Sequence, residues 1–381
     1  MSSNIRIEKL ILHYYRNHIF LDLNLEKNMV LLCGKNGSGK TNILESISFL
    51  NSNTGLKKSN LKEIINDKLD GPIELFGVNV QCDVNKKKIK IGMGIKKNNS
   101  SFKKIIRIQS DKYNEKVENI INTFWIVPKT TFLFQNNSED RRGFLDHMIS
   151  SVDSDYKKNL SNYDKFKSER IKILKRWNNN QLEWVKLIEK KLASYGVIIC
   201  DARRNFLKEL NQNLNTFSSI FPSLQLELSG ELDKLLLKSP AVEVEDFFLR
   251  KLEENRNKDI LMGKTNFSVN KTDLLAFDID SMTDARSFST GEQKVIIFSI
   301  IFSFIKLLES NSNLNIIFLL DDVFSFLDDK HIFIVLEKLH QLNVQTFLTD
   351  VKGDWILKDK KFGKIIHKIN IDDKRFKVDN I

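Results

Sequence analysis

The residues most able to do chemistry are Gly34-Lys35-Asn36-Gly37-Ser38-Gly39-Lys40-Thr41. They fit G-x-x-x-x-G-K-[ST] and sit between a short apolar run and a helical pattern. Glycines let such a backbone curl until successive N–H groups point inward at an anion, and the positive end of the following helix adds to the attraction. In that setting Lys40 reaches β- and γ-phosphate oxygens, and the Thr41 hydroxyl ligates Mg²⁺. The bland alternative is an ordinary glycine-rich turn, but motif and context match together. A phosphate loop calls for an acidic partner at the end of a second buried strand. Ile316–Leu320 runs directly into Asp321 and Asp322. Asp321 is expected to hold the metal, often through water, and Asp322 to orient or deprotonate an attacking water. A third element, Ser289-Thr290-Gly291-Glu292-Gln293-Lys294, precedes an apolar helix. As a plain N-cap, Ser289 or Thr290 caps and Glu292 or Gln293 completes a capping box. The same helix start, with exposed N–H groups, also suits the γ-phosphate of a nucleotide held by another subunit. ATP and Mg²⁺ are the ligands this chemistry implies.

The elements that must position these residues follow from the apolar pattern. Ile5–Tyr14 and Ile19–Leu25 alternate and suggest a hairpin turned at Arg16-Asn17-His18. Met29–Cys33 is continuously apolar, as in a strand buried on both faces, and Thr41–Leu50 has helical spacing. Residues 73–110 hold short alternating runs that read as an antiparallel, half-exposed sheet, and Trp125–Pro128 as a further strand. From about Ser138 to Phe217 the pattern is helical. Tyr163, Phe166, Arg170, Leu174 and Trp177 form one stripe, Asn178–Asn180 breaks it, and Leu182, Val185, Ile188 and Leu192 resume it. That pattern suggests a projecting helical hairpin of only a few turns per arm. A helix through Leu308, the strand Ile316–Leu320, a helix over Asp329–Gln341 and a strand over Gln345–Thr349 follow. Alternation on both sides of the helical stretch implies an α/β class with a largely parallel, discontinuous sheet.

Composition sets the limits. The 381 residues carry 60 Lys+Arg against 49 Asp+Glu, for a formal charge of +11. With 41% apolar residues, four Pro and fifteen Gly, neither disorder nor a collagen-like array fits. Cys33, Cys82 and Cys200 are too few for a disulfide framework and suit a reducing compartment. The N-terminus carries early charges, no apolar run is long enough to span a bilayer, and the expectation is a soluble cytoplasmic protein. The six His residues lack ligand spacing, so no zinc site is expected. Lys and Asn richness is otherwise diffuse, but Asp83–Arg107 holds nine Lys/Arg and one acidic residue. Lys86, Lys87, Lys88 and Lys90 are candidate DNA-backbone contacts; a solvated sheet face is the plainer account.

Taken in order, these motifs resemble the ABC-type ATPase heads of the SMC/Rad50/RecF superfamily, and within it the RecF-type proteins. Besides the phosphate loop, the likeness rests on Arg16-Asn17, on Glu139–Asp146 (EDRRGFLD) and on Leu319–Asp328 (LLDDVFSFLD), which is similar to a Walker B plus D-loop. Gln345–Thr349 is similar to the last core strand. Departures lie at Pro128-Lys129-Thr130, at Gln135-Asn136-Asn137 and in Gly263–Leu274, which keeps only Thr272-Asp273-Leu274. Gln135 is the candidate Q-loop residue. The resemblance implies a P-loop ATPase head with an antiparallel β subdomain and an inserted short helical arm. Residues 1–137 and 261–381 would form the head and 138–260 the arm. It also implies that two chains sandwich two ATP molecules, with Ser289, Gly291 and Gln293 as a signature motif acting in trans, and that hydrolysis is slow. Further implications are gapped or junction DNA as ligand, RecR and RecO as partners, RecA loading as outcome, and a place at the nucleoid. An SMC-like structural or defence ATPase working with a nuclease or scaffold is the alternative. Arg141 and Arg142 are read either as functional or as pairing with Glu139, Asp140 or Asp146 on their own helix.

Overall fold

The computed structural model describes residues 5–98, 101–109, 117–176, 182–214, 223–309, 315–324, 329–341, 343–354 and 360–372. Its strands are β1 (Ile5–Tyr15), β2 (His18–Asn24), β3 (Met29–Cys33), β4 (Gly77–Val84), β5 (Lys87–Asn98), β6 (Ser101–Gln109) and β7 (Asn122–Ile126). Later come β8 (Leu224–Ser229), β9 (Asp273–Asp278), β10 (Ile316–Leu320), β11 (Thr346–Asp350) and β12 (Ile366–Asn370). The helices are α1 (Lys40–Ser48), α2 (Val117–Ile120), α3 (Ser138–Val152), α4 (Ser154–Lys175), α5 (Leu182–Leu214) and α6 (Glu231–Leu236). They continue with α7 (Ala241–Glu254), α8 (Arg256–Met262), α9 (Thr290–Glu309), α10 (Asp329–Gln341) and α11 (Lys360–Ile365). The chain divides into one unit made of residues 1–131 and 308–381 and another of 132–307.

The first unit holds two sheets. One is antiparallel, in the order β2-β1-β4-β5-β6. The other is parallel throughout, in the order β12-β3-β11-β10-β7. All five residues of β3 and of β10 are buried, as their unbroken apolar runs require, and each large side chain so buried contributes roughly 1.5–3 kcal/mol. Ile43, Leu44 and Ile47 of α1 join the same core. The strand expected at Trp125–Pro128 lies earlier, at β7. It pairs residue for residue with β10 from Asn122 to Ile126, and Pro128 opens a 3₁₀ turn instead.

The two sheets are tied by a side chain with no sequence signature. Register shifts between Ile7 and Lys9 on β1, and the fully buried Gln345 meets the backbone of Ile7 there. Its Oε1 accepts from the Ile7 N–H at 2.7 Å and its Nε2 donates to the Ile7 carbonyl at 2.8 Å. Gln345→Leu strands both groups away from water, so chemical denaturation should show a loss of about 2 kcal/mol. An unchanged midpoint would mean that the bulge finds other partners.

The second unit is mostly helical. Helices α4 and α5 pack along one another, and α5, with 33 residues, runs about 50 Å, longer than the few turns expected. Tyr163, Arg170 and Leu174 are buried on α4, facing the buried Val185, Ile188 and Leu192 on α5. Phe166 stacks on Tyr195 at 5.8 Å; Trp177 and the Asn178–Asn180 break lie outside the described residues. The stripe is amphipathic by position but not by chemistry, because Arg170 at its centre is fully buried. Arg170 donates to Glu189, Asp259 and the Leu252 carbonyl. The antiparallel ribbon β8–β9 was not anticipated. No helix among the described residues is long and apolar enough to cross a membrane.

Candidate nucleotide site

The carboxyl ends of three neighbouring parallel strands, β3, β11 and β10, converge on one edge of the parallel sheet, where open α/β sheets carry their ligands. After Cys33 the chain turns through Gly34–Gly39 into α1. Gly37 and Gly39 hold φ of 83° and 103°, the left-handed region that favours glycine. At Gly39 the demand is also steric, since an added Cβ would lie 2.3 Å from His18 Nε2 and 2.6 Å from Asn17 Oδ1. Lys40 folds back on the loop, its Nζ donating to the carbonyls of Gly34 at 2.6 Å and Lys35 at 3.0 Å. Lys35 N–H donates to Asp372. The Ser38 hydroxyl is buried and has no partner among the described residues.

Thr41 and Asp321, 280 residues apart in sequence, meet. Thr41 Oγ1 donates to the Asp321 carboxylate at 2.8 and 3.0 Å, and Thr349 Oγ1, from β11, donates to it at 2.9 Å. Burial pushes the Asp321 carboxyl above its usual range, against the pull of the two threonine hydroxyls and helped by neighbouring Asp322. Asp322 sits at φ 49° with its N–H donating to Thr349 Oγ1. A desolvated carboxylate beside a hydroxyl and a glycine-cradled lysine is a donor set suited to Mg²⁺ and linked phosphates.

Sequence reading anticipated the loop, both aspartates and the Arg16-Asn17-His18 turn, but not that this turn supports the loop. The β1–β2 turn presses on the loop: Asn17 donates to Gly37 O at 3.4 Å, His18 Nε2 lies 3.2 Å from Gly39 O, and Asn42 donates to Asn17. Arg16 spans from that turn to α1, its Nε and Nη2 donating to the two carboxylate oxygens of buried Glu45 at 2.5 and 2.7 Å. Thr349 was visible only as a residue of a core strand.

In the helical unit, Ser289 and Glu292 form the capping box at the start of α9. Ser289 Oγ and N–H both donate to Glu292 Oε2, at 2.6 and 2.9 Å, and these bonds draw the Glu292 carboxyl below its usual range. A Cβ added at Gly291 would meet nothing within 4 Å among the described residues. Gln293 turns inward: it is buried, and its Nε2 donates to the carbonyls of Phe288 and Arg286. Its amide shapes the loop before the helix. The D-loop segment Ser325–Asp328 lies outside the described residues.

A family model described as RecF/RecN/SMC N terminal domain matches residues 6–371. The protein named DNA replication and repair protein RecF from Rickettsia bellii is 31% identical over 361 residues, covering 92% of this chain and 96% of the relative. The protein of that name from Rickettsia felis is 32% identical over 359 residues, covering 92% and 95%. The chain belongs to the RecF family. Its fold is also that of a solved structure, "the recombination mediator protein RecF-ATPrS in RecFOR pathway", at TM-score 0.78 and 22% identity over 92% of this chain and 94% of the other.

In two segments of this RecF-family chain, side chains find partners that sequence reading did not supply. Arg141 pairs with none of the acids on its own helix. It is buried and bidentate to Asp273 of β9 at 2.7 and 2.8 Å, joining the Glu139–Asp146 segment to the Thr272-Asp273-Leu274 remnant of a segment that otherwise departs from the family pattern. Asp146 instead receives Arg203. The lysine patch is partly consumed. Lys88 pairs with Glu8 at 2.5 Å and Asp83 at 3.1 Å, and Lys104 donates to the carbonyls of Phe49 and Ser52 just beyond α1. Lys86 occupies the β4–β5 turn at φ 66°, and Lys90 stands on the sheet's open face, in a row with Lys9, Gln81 and Gln109. A charge count could not separate these roles, because it is blind to pairing.

Proposed function

We propose that this chain is an ATP-operated switch in DNA replication and recombinational repair. The observation that carries the reading is the Thr41–Asp321 contact beside a glycine-cradled lysine, in a chain whose named relatives are DNA replication and repair proteins. The backbone and side chains of Gly34, Lys35, Asn36, Gly37, Ser38, Gly39 and Lys40 would hold the triphosphate, and the buried Ser38 hydroxyl supports that fit. Thr41 and Asp321 would hold Mg²⁺, which when bound neutralises phosphate charge. Lys40 exchanges its two backbone carbonyls for phosphate oxygens. Asp322 orients or deprotonates water, and hydrolysis is slow. Ser289 and Gly291 meet the nucleotide of a second copy, with Gln293 supporting that loop from within. ATP thereby drives dimerisation, and hydrolysis releases it.

The biological reading is recognition of gapped or junction DNA in the cytoplasm, at the nucleoid, with RecR and RecO promoting RecA loading. It is supported by a related structure described as a recombination mediator in the RecFOR pathway. Size-exclusion chromatography with Mg-ATP, with and without gapped DNA, tests it. Wild type should run as a dimer and prefer gapped DNA. Lys40→Met should lose both nucleotide binding and dimers, and Ser289→Arg should keep nucleotide but stay monomeric. A monomer under every condition sinks the switch.

A further inference from the structure

Arg142, unlike its neighbour Arg141, is not committed to a carboxylate. It is half-buried, and its one side-chain bond among the described residues is a long one, 3.3 Å, to the carbonyl of Thr272. Its guanidinium lines a cleft of about 670 Å³ within the helical unit, between the start of α3, the middle of α4 and the loop that follows α8. Lys172, Lys264 and Lys271 line the same cleft, and all three are exposed. Among the described residues none of these four cations has an ion-pair partner. A fifth, Lys167, is paired with Asp164, and the lining includes a single acid, Glu139. Burial, and to a lesser degree the nearby Arg203, push the Arg142 guanidinium below its usual range against the opposing pull of Asp146, Glu139 and Asp273.

The rest of the lining says what kind of anion fits. Ser168, Ser268 and Asn270 add hydrogen-bonding groups, and Ile171 is the one apolar side chain. There is no aromatic ring to stack a base and no apolar wall to enclose a small molecule. The volume exceeds the needs of one phosphate, so linked phosphates fill it better than a single ion. Gly263, at the loop's start, has φ 65°, and Lys175 Nζ lies 3.3 Å from where its Cβ would be, which extends the cationic wall along α4.

We propose that this cleft is a second nucleic-acid contact, binding the DNA phosphodiester backbone without reading sequence, separate from the sheet lysines and from the nucleotide site. The inference rests on the DNA-binding reading above and adds the place of contact. Four cations without an ion-pair partner among the described residues, set among polar side chains, are the chemistry that phosphate contacts use, and such contacts position a protein rather than specify a sequence.

The test uses the full chain and a fluorescein-labelled DNA duplex, with affinity followed by anisotropy across a salt series. Lys172→Gln/Lys264→Gln/Lys271→Gln should weaken binding roughly 100-fold near 0.1 M salt and lower the slope of log affinity against log salt by about 2–3. Mg-ATP binding should be unchanged, because none of the three residues lines the phosphate loop. In parallel, DNA should protect these lysines of the wild type from acetylation, read by mass spectrometry. If wild type binds DNA and the triple variant binds it equally, with the same slope, the cleft is not a contact. If wild type fails to bind DNA at all, the broader reading falls and the cleft with it. Protection by inorganic phosphate as complete as by DNA would mark a single-anion site, and displacement of DNA by polyglutamate at equal charge would mark an acidic polypeptide; either result overturns the assignment.

Discussion

Asp321→Asn should raise the melting temperature of the nucleotide-free protein while abolishing its stabilisation by Mg-ATP. The two effects have opposite sign and a common cause. In the folded chain the Asp321 carboxylate is largely withdrawn from water, and its bonds from Thr41 and Thr349 offset only part of that cost. An amide removes the charge and still accepts a hydroxyl, so the nucleotide-free protein gains a few degrees. Mg²⁺ needs the ionised group, so the variant forfeits the ligand's contribution, about 2.7 kcal/mol at a hundred times the dissociation constant. The pH dependence has a definite sign. A carboxyl raised above its unfolded value contributes stability at low pH that is lost as pH rises through the folded value. The gap between variant and wild type without nucleotide should therefore widen from acid to neutral pH, and the wild type's gain from Mg-ATP should grow over the same window. A variant less stable than wild type without nucleotide would show that Asp321 is a structural acceptor and not a metal ligand held at a cost.

What could be read from sequence here was whatever the local backbone dictates. Gly37 and Gly39 are glycines because the loop needs left-handed φ, and Met29–Cys33 and Ile316–Leu320 are unbroken apolar runs because both faces of those strands are covered. Such constraints act within a few residues and leave a pattern. Partner choice does not. Nothing near Arg141 in sequence points to Asp273, and nothing near Gln345 points to Ile7. Those pairings are set by which strands come together, and β9, the strand carrying Asp273, was itself missed. The same reason explains why the dense lysine run gave only a coarse expectation. Lys88 and Lys104 are spent on bonds within the unit, whereas Lys172, Lys264 and Lys271, which have no ion-pair partner among the described residues, are scattered over a hundred residues and form no visible run. Phosphate-loop chemistry is legible because it is contiguous; charge complementarity is legible only in three dimensions.

The support beneath the phosphate loop is where the second large effect is expected. Glu45 sits on α1 with no exposed surface, held by both arms of Arg16 and by Ser59. Arg16→Met leaves that carboxylate buried without its cation, and loss of one partner of a buried pair costs about 3–5 kcal/mol. Arg16 also holds φ 50°, so Arg16→Gly would relax the backbone while deleting the same charge. If the ion pair dominates, the glycine variant should recover no more than about 1 kcal/mol of the loss. Arg16→Lys should fall between, because a point charge cannot reproduce the two-pronged contact. Arg16→Met/Glu45→Met separates stability from function. Replacing a buried pair by apolar side chains is often neutral, so the double variant should regain most of its stability. Its affinity for Mg-ATP should nonetheless stay reduced. The Arg16 link to α1 is what holds the turn, with Asn17 and His18, against the carbonyls of Gly37 and Gly39. Full recovery of both properties would show that the pair only balances charge, and that the loop keeps its curl without the turn behind it.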